Sequence, residues 1–180
     1  YTVKDTFPYT TLFRSSAPLM AAKGWSLQLY ALAFPAYAAA SVAAALGAGL
    51  LVDRFGAPRL LPFVLLPMAM ALFIAAFAVP AWAVFAYLAG FGLTAGALFT
   101  VMNALWAELY GTRHLGAVRG VVSALMVFGT ALGPGLTGVL LDLGVGLEAQ
   151  LAGMGAVALG LAVSFTAISR TLARPAPSPA

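Results

Sequence analysis

Charged residues are rare along this chain, and they divide it into long uncharged runs. Four of these runs, of 29, 48, 22 and 21 residues, lie between Lys23 and Asp53, Arg59 and Glu108, Arg119 and Asp142, and Glu148 and Arg170. A helix needs about 20 residues to cross the hydrocarbon core of a bilayer, so the run of 48 has room for two helices. Its turn is expected at Val79-Pro80-Ala81-Trp82, because proline ends one helix and starts the next.

The pattern predicts an all-α membrane protein with five transmembrane helices, at about 27–52, 60–79, 82–109, 117–141 and 149–169. Backbone polar groups have no water to bind inside lipid, which favours helices over irregular chain. The alternating pattern of a transmembrane barrel is absent. Pro35, Pro67 and Pro134 lie inside the predicted spans and are expected to bend them.

Polar side chains are distributed unevenly over the five predicted spans. The second span has none and the fifth has them only near its two ends (Gln150, Ser164, Thr166 and Ser169), whereas the other three each carry several. Polar groups in a membrane tend to face a bundle interior or a water-filled cavity. We therefore expect spans one, three and four to be inner, and spans two and five to be outer. The candidate residues for lining a substrate cavity are Tyr37, Tyr87, Thr94 and Asn103.

Small residues recur at a spacing of four on two of the spans. Gly92 and Gly96 lie on the third span, and Gly129 and Gly133 lie on the fourth. This spacing lets helix backbones approach each other closely in a membrane. Both pairs are therefore predicted to be helix-packing positions.

Composition and charge support a bilayer as the surroundings and indicate an orientation. The chain is 63% hydrophobic and 8% charged, with a mean hydropathy of +1.01 and a net charge of +4. The basic residues stand singly between apolar runs, which excludes a nucleic-acid-binding patch. One side of the membrane would carry six of them, and the other only Lys23; the six are Arg54, Arg59, Arg113, Arg119, Arg170 and Arg174. Basic loops stay in the cytoplasm, so we expect a multi-pass protein of the cell membrane, the inner membrane of a bacterium, with a cytoplasmic C-terminus.

The two ends of the chain differ from its centre. Residues 1–15 contain no alanine, and the run from Phe7 to Ser15 resembles a translated sequencing adapter. We expect this segment to be foreign to the fold, and the alternative is a disordered tail. Residues 16–174 are predicted to form the transmembrane helical domain, and the proline-rich residues 175–180 a disordered tail.

The loop after the first span carries a spaced motif. Gly49 is followed after three residues by Asp53 and Arg54, then by Gly56 and Arg59. This resembles the signature loop of the major facilitator superfamily, which joins the second and third helices of each six-helix half. Ala57 stands where that family often has a basic residue. The resemblance implies a gating loop, in which Asp53 accepts hydrogen bonds from the N-terminus of a neighbouring helix and faces its positive dipole.

The fourth span carries a second motif, formed by small residues and a proline: Gly120, Gly129, Gly133, Pro134 and Gly138. This spacing resembles the Gly-Pro helix motif of the same superfamily, which is best known in antiporters and lies on the fifth or the eleventh helix. Thr137 departs from the glycine of that motif. The resemblance implies a helix-packing role and does not establish antiport.

The resemblance implies a fold and a function. The five spans would be part of a six-helix half, either helices eight to twelve or helices two to six, and we favour eight to twelve. The chain would then be a fragment of a secondary active transporter of small solutes that works by alternating access. The segment 108–120 is similar to the organic-anion and monocarboxylate branches. Its partners would be the lipid bilayer, the missing N-terminal half and an unknown small-molecule substrate.

Residues suited to enzyme chemistry are not grouped in this sequence. His114 is the single histidine, cysteine is absent, and no two carboxylates are close in sequence. We therefore expect no enzyme activity, no cofactor, no metal and no nucleic-acid partner. The competing function is that of a non-transporting membrane protein with a structural or interaction role.

Overall fold

The computed structural model describes residues 20, 23–111 and 115–172, with the side chains of 171–172 left out. The described helices are α1 (Leu27–Phe55), α2 (Ala57–Val64), α3 (Leu66–Phe77), α4 (Trp82–Tyr110), α5 (Leu115–Asp142) and α6 (Leu147–Leu172). By length and composition they form five membrane spans, since α2 and α3 together make the second. These residues contain no strand. The prediction of an all-α protein with five spans is confirmed, while segments 1–15 and 175–180 lie outside the described residues.

Proline divides the second span in two. Pro67 has no N–H to donate to the carbonyl of Phe63, and Leu65 is a single turn residue between α2 and α3. The bend predicted at Pro67 is thus confirmed as a break in the helix. Pro35 and Pro134 lie within α1 and α5 and do not interrupt them.

The helices alternate in direction and so define two ends of the bundle. At one end α1 turns into α2 at Gly56, whose φ of 80° suits glycine. We name this the Gly56 end. At the opposite end, α3 turns into α4 through Val79 and Pro80, and we name this the Pro80 end. The chain before α1 also lies there, and Ser26 caps α1 by accepting a hydrogen bond from the amide of Leu29 at 3.1 Å.

The two long helices α1 and α4 run parallel and touch through their backbones. A Cβ atom added to Gly92 would overlap the carbonyl oxygen of Tyr37, and one added to Gly96 would overlap that of Ser41. Thr100 continues the same contact, because its hydroxyl lies 3.5 Å from the carbonyl oxygen of Ala45. The packing role predicted for Gly92 and Gly96 is therefore confirmed. No Cβ added at Gly129 or Gly133 would meet an atom of another described residue within 4 Å.

Buried side chains form one core cluster at each end. The cluster at the Pro80 end consists of Met20, Trp25, Tyr30, Ala33, Leu72, Ala75, Ala76, Ala83, Val84, Leu88 and Leu151. The cluster at the Gly56 end consists of Ala48, Ala57, Leu61, Val64, Val101 and Leu105. Lipid is as apolar as these side chains, so dispersion contacts and shape, rather than exclusion of water, hold such clusters together.

The second span occupies a different place from the one expected. Its segments α2 and α3 pack against both α4 and α6, and it is the most buried of the five spans. The expectation that it lies outside the others is wrong for the described residues. A helix without polar groups can face lipid or other helices equally well, and small residues such as Ala69, Ala71 and Ala75 let its neighbours approach. By contrast, α5 has no buried residue.

We predict that Gly96→Ala destabilises the chain and that Gly129→Ala does not. Both changes raise helix propensity by about 1 kcal/mol. Only at Gly96 does the added methyl group meet a neighbouring backbone. Gly96→Ala should therefore lower the free energy of unfolding by about 1–3 kcal/mol, measured from tryptophan fluorescence in mixed micelles. Equal stability of the two variants would contradict this packing.

Candidate functional site

The predicted gating loop lies at the Gly56 end. Gly49 is inside α1, and Asp53 and Arg54 are in its last turn, with both charged side chains exposed. The guanidinium of Arg54 lies 5.6 Å from the ring centre of Phe55. Arg59 is exposed in the first turn of α2. The turn itself is closed by the amide of Gly56, which donates to the carbonyl oxygen of Val52 at 2.8 Å.

A carboxylate does contact a helix N-terminus in this loop, but it belongs to Glu108. Its Oε1 accepts a hydrogen bond from the amide of Ala57 at 3.2 Å, which satisfies one of the free amides that begin α2. Asp53 accepts no hydrogen bond among the described residues. The helix-end contact expected of Asp53 is thus made by a residue from the end of α4. Residues 112–114, which precede α5, lie outside the described residues.

Two of the predicted cavity residues lie in the half of the bundle nearer the Pro80 end. Tyr37 on α1 and Tyr87 on α4 are both half-buried, and both pack against the core cluster of that end. The ring of Tyr37 lies 6.5 Å from that of Phe34, and the ring of Tyr87 lies 4.9 Å from that of Phe91. The structure therefore brings these two tyrosines to the same cluster.

Thr94 and Asn103 lie elsewhere on α4. Thr94 is 4% exposed, and its hydroxyl has no hydrogen-bond partner among the described residues. Asn103 donates from its Nδ2 to the carbonyl oxygen of Phe99 at 2.8 Å, a contact within its own helix. Since Asn103 follows Thr94 by about two and a half turns, it lies nearer the Gly56 end. The four candidates do not share one site in this structure.

The Gly-Pro motif of α5 faces open space. A Cβ atom added to Gly120, Gly129, Gly133 or Gly138 would meet no atom of another described element within 4 Å, and Pro134 is exposed. Two threonine hydroxyls of this stretch are satisfied within the helix: Thr130 donates to the carbonyl oxygen of Val127 at 2.8 Å, and Thr137 donates to that of Gly133 at 3.0 Å. The helix-packing role of this motif therefore stays a prediction.

An open groove lies where α4 and α5 meet at the Gly56 end. Its volume is about 340 Å³, and it is lined by Tyr110, Ala117, Val118, Val121 and Val122. None of the predicted cavity residues lines it. The described residues also contain no group of three His, Asp or Glu side chains that could hold a metal ion.

Residues at the Pro80 end form polar contacts that the sequence did not indicate. The ammonium group of Lys23 donates to the carbonyl oxygen of Ala76 at 2.8 Å and to Oε1 of Glu148 at 2.7 Å. Gln150 is buried, and its Nε2 donates to the carbonyl oxygen of Val145 at 2.9 Å. The available signal was weak: Lys23 was the single basic residue on its side of the membrane.

Comparison with known proteins identifies the family. The model of the Major Facilitator Superfamily matches residues 7–180. The chain belongs to this superfamily. That membership supports a transporter of the major facilitator type, a multi-pass protein in contact with the lipid bilayer. The match begins within the segment expected to be foreign, and the expectation about residues 1–15 stays untested. No curated protein and no solved structure matches the chain.

We predict that Glu108 protects the amide of Ala57. Loss of a helix cap costs about 1 kcal/mol, so Glu108→Ala should speed hydrogen exchange at this amide by about fivefold, as measured by NMR. Glu108→Gln keeps an acceptor oxygen and should leave the rate nearly unchanged. The matched control is Asp53→Ala, which removes an exposed carboxylate of the same loop and should have no effect. A faster rate in Asp53→Ala than in Glu108→Ala would contradict the assignment.

Proposed function

We propose that this chain is part of one half of a secondary active transporter of small solutes that works by alternating access. Its five spans would be helices eight to twelve, and the solute site would form between this half and an N-terminal half. The observation that carries the proposal is the packing of α5. The spans formed by α1, α2 with α3, α4 and α6 pack together, whereas α5, the fourth span, has no buried residue and makes few contacts with its neighbours. A two-half carrier needs such a surface, because its site lies between the halves.

The exposed loop at the Gly56 end supports a gate. A gating contact has to form and break, and a carboxylate that is already bound within its own half cannot serve for this. Asp53 is exposed, while Glu108 already holds the start of α2. We therefore assign the static contact to Glu108 and the changing contact to Asp53, whose partner would be a helix N-terminus reached in one state of the cycle.

Charge supports an orientation with the Gly56 end in the cytoplasm. Arg54, Arg59, Arg119 and Arg170 lie near the helix ends on this side. At the Pro80 end, the charge of Lys23 is balanced by Glu148 in an ion pair. The excess of arginine thus stays on one side, as in the cytoplasmic loops of membrane proteins. The membrane would be the cell membrane, the inner membrane of a bacterium, and the C-terminus would be cytoplasmic.

The substrate class we propose is small organic anions such as monocarboxylates. The support is the similarity of segment 108–120 to those branches of the superfamily. Tyr37 and Tyr87, which pack against one cluster, could supply hydroxyl donors to a carboxylate. Thr94, with its buried hydroxyl, is a further candidate on the same helix as Tyr87. No cofactor, metal or enzymatic step is part of this proposal.

Uptake into liposomes tests the proposal. The complete protein that carries this half should take up radiolabelled lactate with saturable kinetics, and residues 16–180 alone should not, because the site needs both halves. In the complete protein, Asp53→Asn should lower kcat by about tenfold or more, equivalent to about 1.4 kcal/mol.

The matched control is Asp142→Asn, which changes an exposed acid at the opposite end and should leave uptake unaltered. Saturable uptake by residues 16–180 alone would contradict the two-half carrier. A complete protein that moves no solute would favour a structural or interaction role. Full activity of Asp53→Asn would contradict the gating contact.

A further inference from the structure

The turn between α3 and α4 leaves carbonyl oxygens without backbone partners. In a continuing helix the carbonyl of Ala76 would accept from the amide of residue 80, but residue 80 is proline and has no N–H. The oxygen of Ala76 instead accepts from Nζ of Lys23 at 2.8 Å. The oxygen of Val79 accepts from Nε1 of Trp25 at 2.9 Å. One short segment before α1 therefore satisfies two carbonyls of this turn.

The ammonium group of Lys23 is buried and doubly bound. Its side chain is 2% exposed, while that of Glu148 is 65% exposed. Burial of a charge is costly unless the charge is paired and hydrogen-bonded, and here Ala76 and Glu148 together meet that need. The helix dipoles add to the attraction, since the cation lies at the C-terminal end of α3 and the carboxylate in the first turn of α6.

We propose that Lys23 is a positioning residue that holds three spans together at the Pro80 end. It joins the chain before α1 to the end of α3 and the start of α6. We expect these three helix ends to move as one unit during the alternating-access cycle. This part of the inference rests on the proposed function. The fourth span is only loosely joined to this unit: α5 makes few contacts with α4 and α6, and one long hydrogen bond, from Nε2 of Gln150 to the carbonyl oxygen of Thr137 at 3.5 Å, links it to α6. We name the group of Lys23, Trp25, Ala76 and Glu148 the Lys23 clamp.

The carbonyl contact distinguishes the clamp from an ordinary ion pair. An ion pair depends on two opposite charges, so exchanging Lys23 and Glu148 would preserve it. The clamp also needs a donor for the oxygen of Ala76, and a glutamate at position 23 has none. Arginine at position 23 keeps both the charge and the donors. The Lys23→Arg variant should therefore preserve the clamp, and the exchange of the two residues should not.

Cysteine labelling tests the clamp without any transport measurement. The chain has no cysteine, so a single introduced thiol gives the whole signal. Ala76→Cys in the full chain, reconstituted in nanodiscs, should react slowly with a water-soluble maleimide because Ala76 is buried. Adding Lys23→Met should raise the rate by about tenfold, the effect of leaving a buried acceptor unsatisfied. Lys23→Arg should keep it slow, and Lys23→Glu with Glu148→Lys should leave it fast.

A thiol at the opposite end serves as the control. Ala48→Cys lies in the core cluster of the Gly56 end. Its thiol should react with the maleimide at the same slow rate whichever residue occupies position 23. Slow labelling of Ala76→Cys in the variant with Lys23→Glu and Glu148→Lys would show that only the ion pair matters, and would contradict the role of the carbonyl contact. An unchanged rate in Lys23→Met, or a rise at both Ala76→Cys and Ala48→Cys, would overturn the proposal. Since no solute is involved, these outcomes are independent of whether the protein transports lactate.

Discussion

The close approach of α1 and α4 is the contact on which the rest of the bundle depends. In lipid, helices gain little from excluding water, and they associate where their backbones can come near. Gly92 and Gly96 provide that approach, because any side chain there would overlap the carbonyls of Tyr37 and Ser41. Gly90 does the same toward α3, where an added Cβ would lie 2.9 Å from the carbonyl oxygen of Pro67. Three glycines on one helix thus set its distance to two neighbours.

Helix ends impose the second constraint, and the two ends of the bundle meet it in complementary ways. The start of α2 has free amides, and the carboxylate of Glu108 accepts from one of them. The end of α3 has free carbonyls, and Lys23 and Trp25 donate to two residues of that turn. Glu108 comes from the end of α4, and Lys23 and Trp25 come from the chain before α1, so satisfying the backbone also joins separate elements. The same requirement that makes the spans helical therefore fixes how they are connected.

Much of the fold could be predicted from the sequence, because its signals are local. The spacing of charges predicted five spans, Pro67 predicted a bend, and the interval between Gly92 and Gly96 predicted a packing face. The contacts of Glu108 and Lys23 were missed, since each joins residues more than 50 positions apart. The prediction that the second span lies outside the others was wrong, because an apolar helix surface does not reveal whether lipid or protein covers it. The cavity residues were chosen by polarity alone, and only Tyr37 and Tyr87 pack on a common cluster.

We propose that the Gly56 end of the bundle lies in the cytoplasm and the Pro80 end outside. Reporter fusions in the complete protein test this most directly. A green fluorescent protein placed after Arg174 should fluoresce, since it folds in the cytoplasm, and alkaline phosphatase inserted at Gly146 should be active, since it requires the outside. The opposite pair of results, with phosphatase active after Arg174 and fluorescence at Gly146, would contradict the orientation. Cytoplasmic signals at both positions would contradict the five-span topology itself.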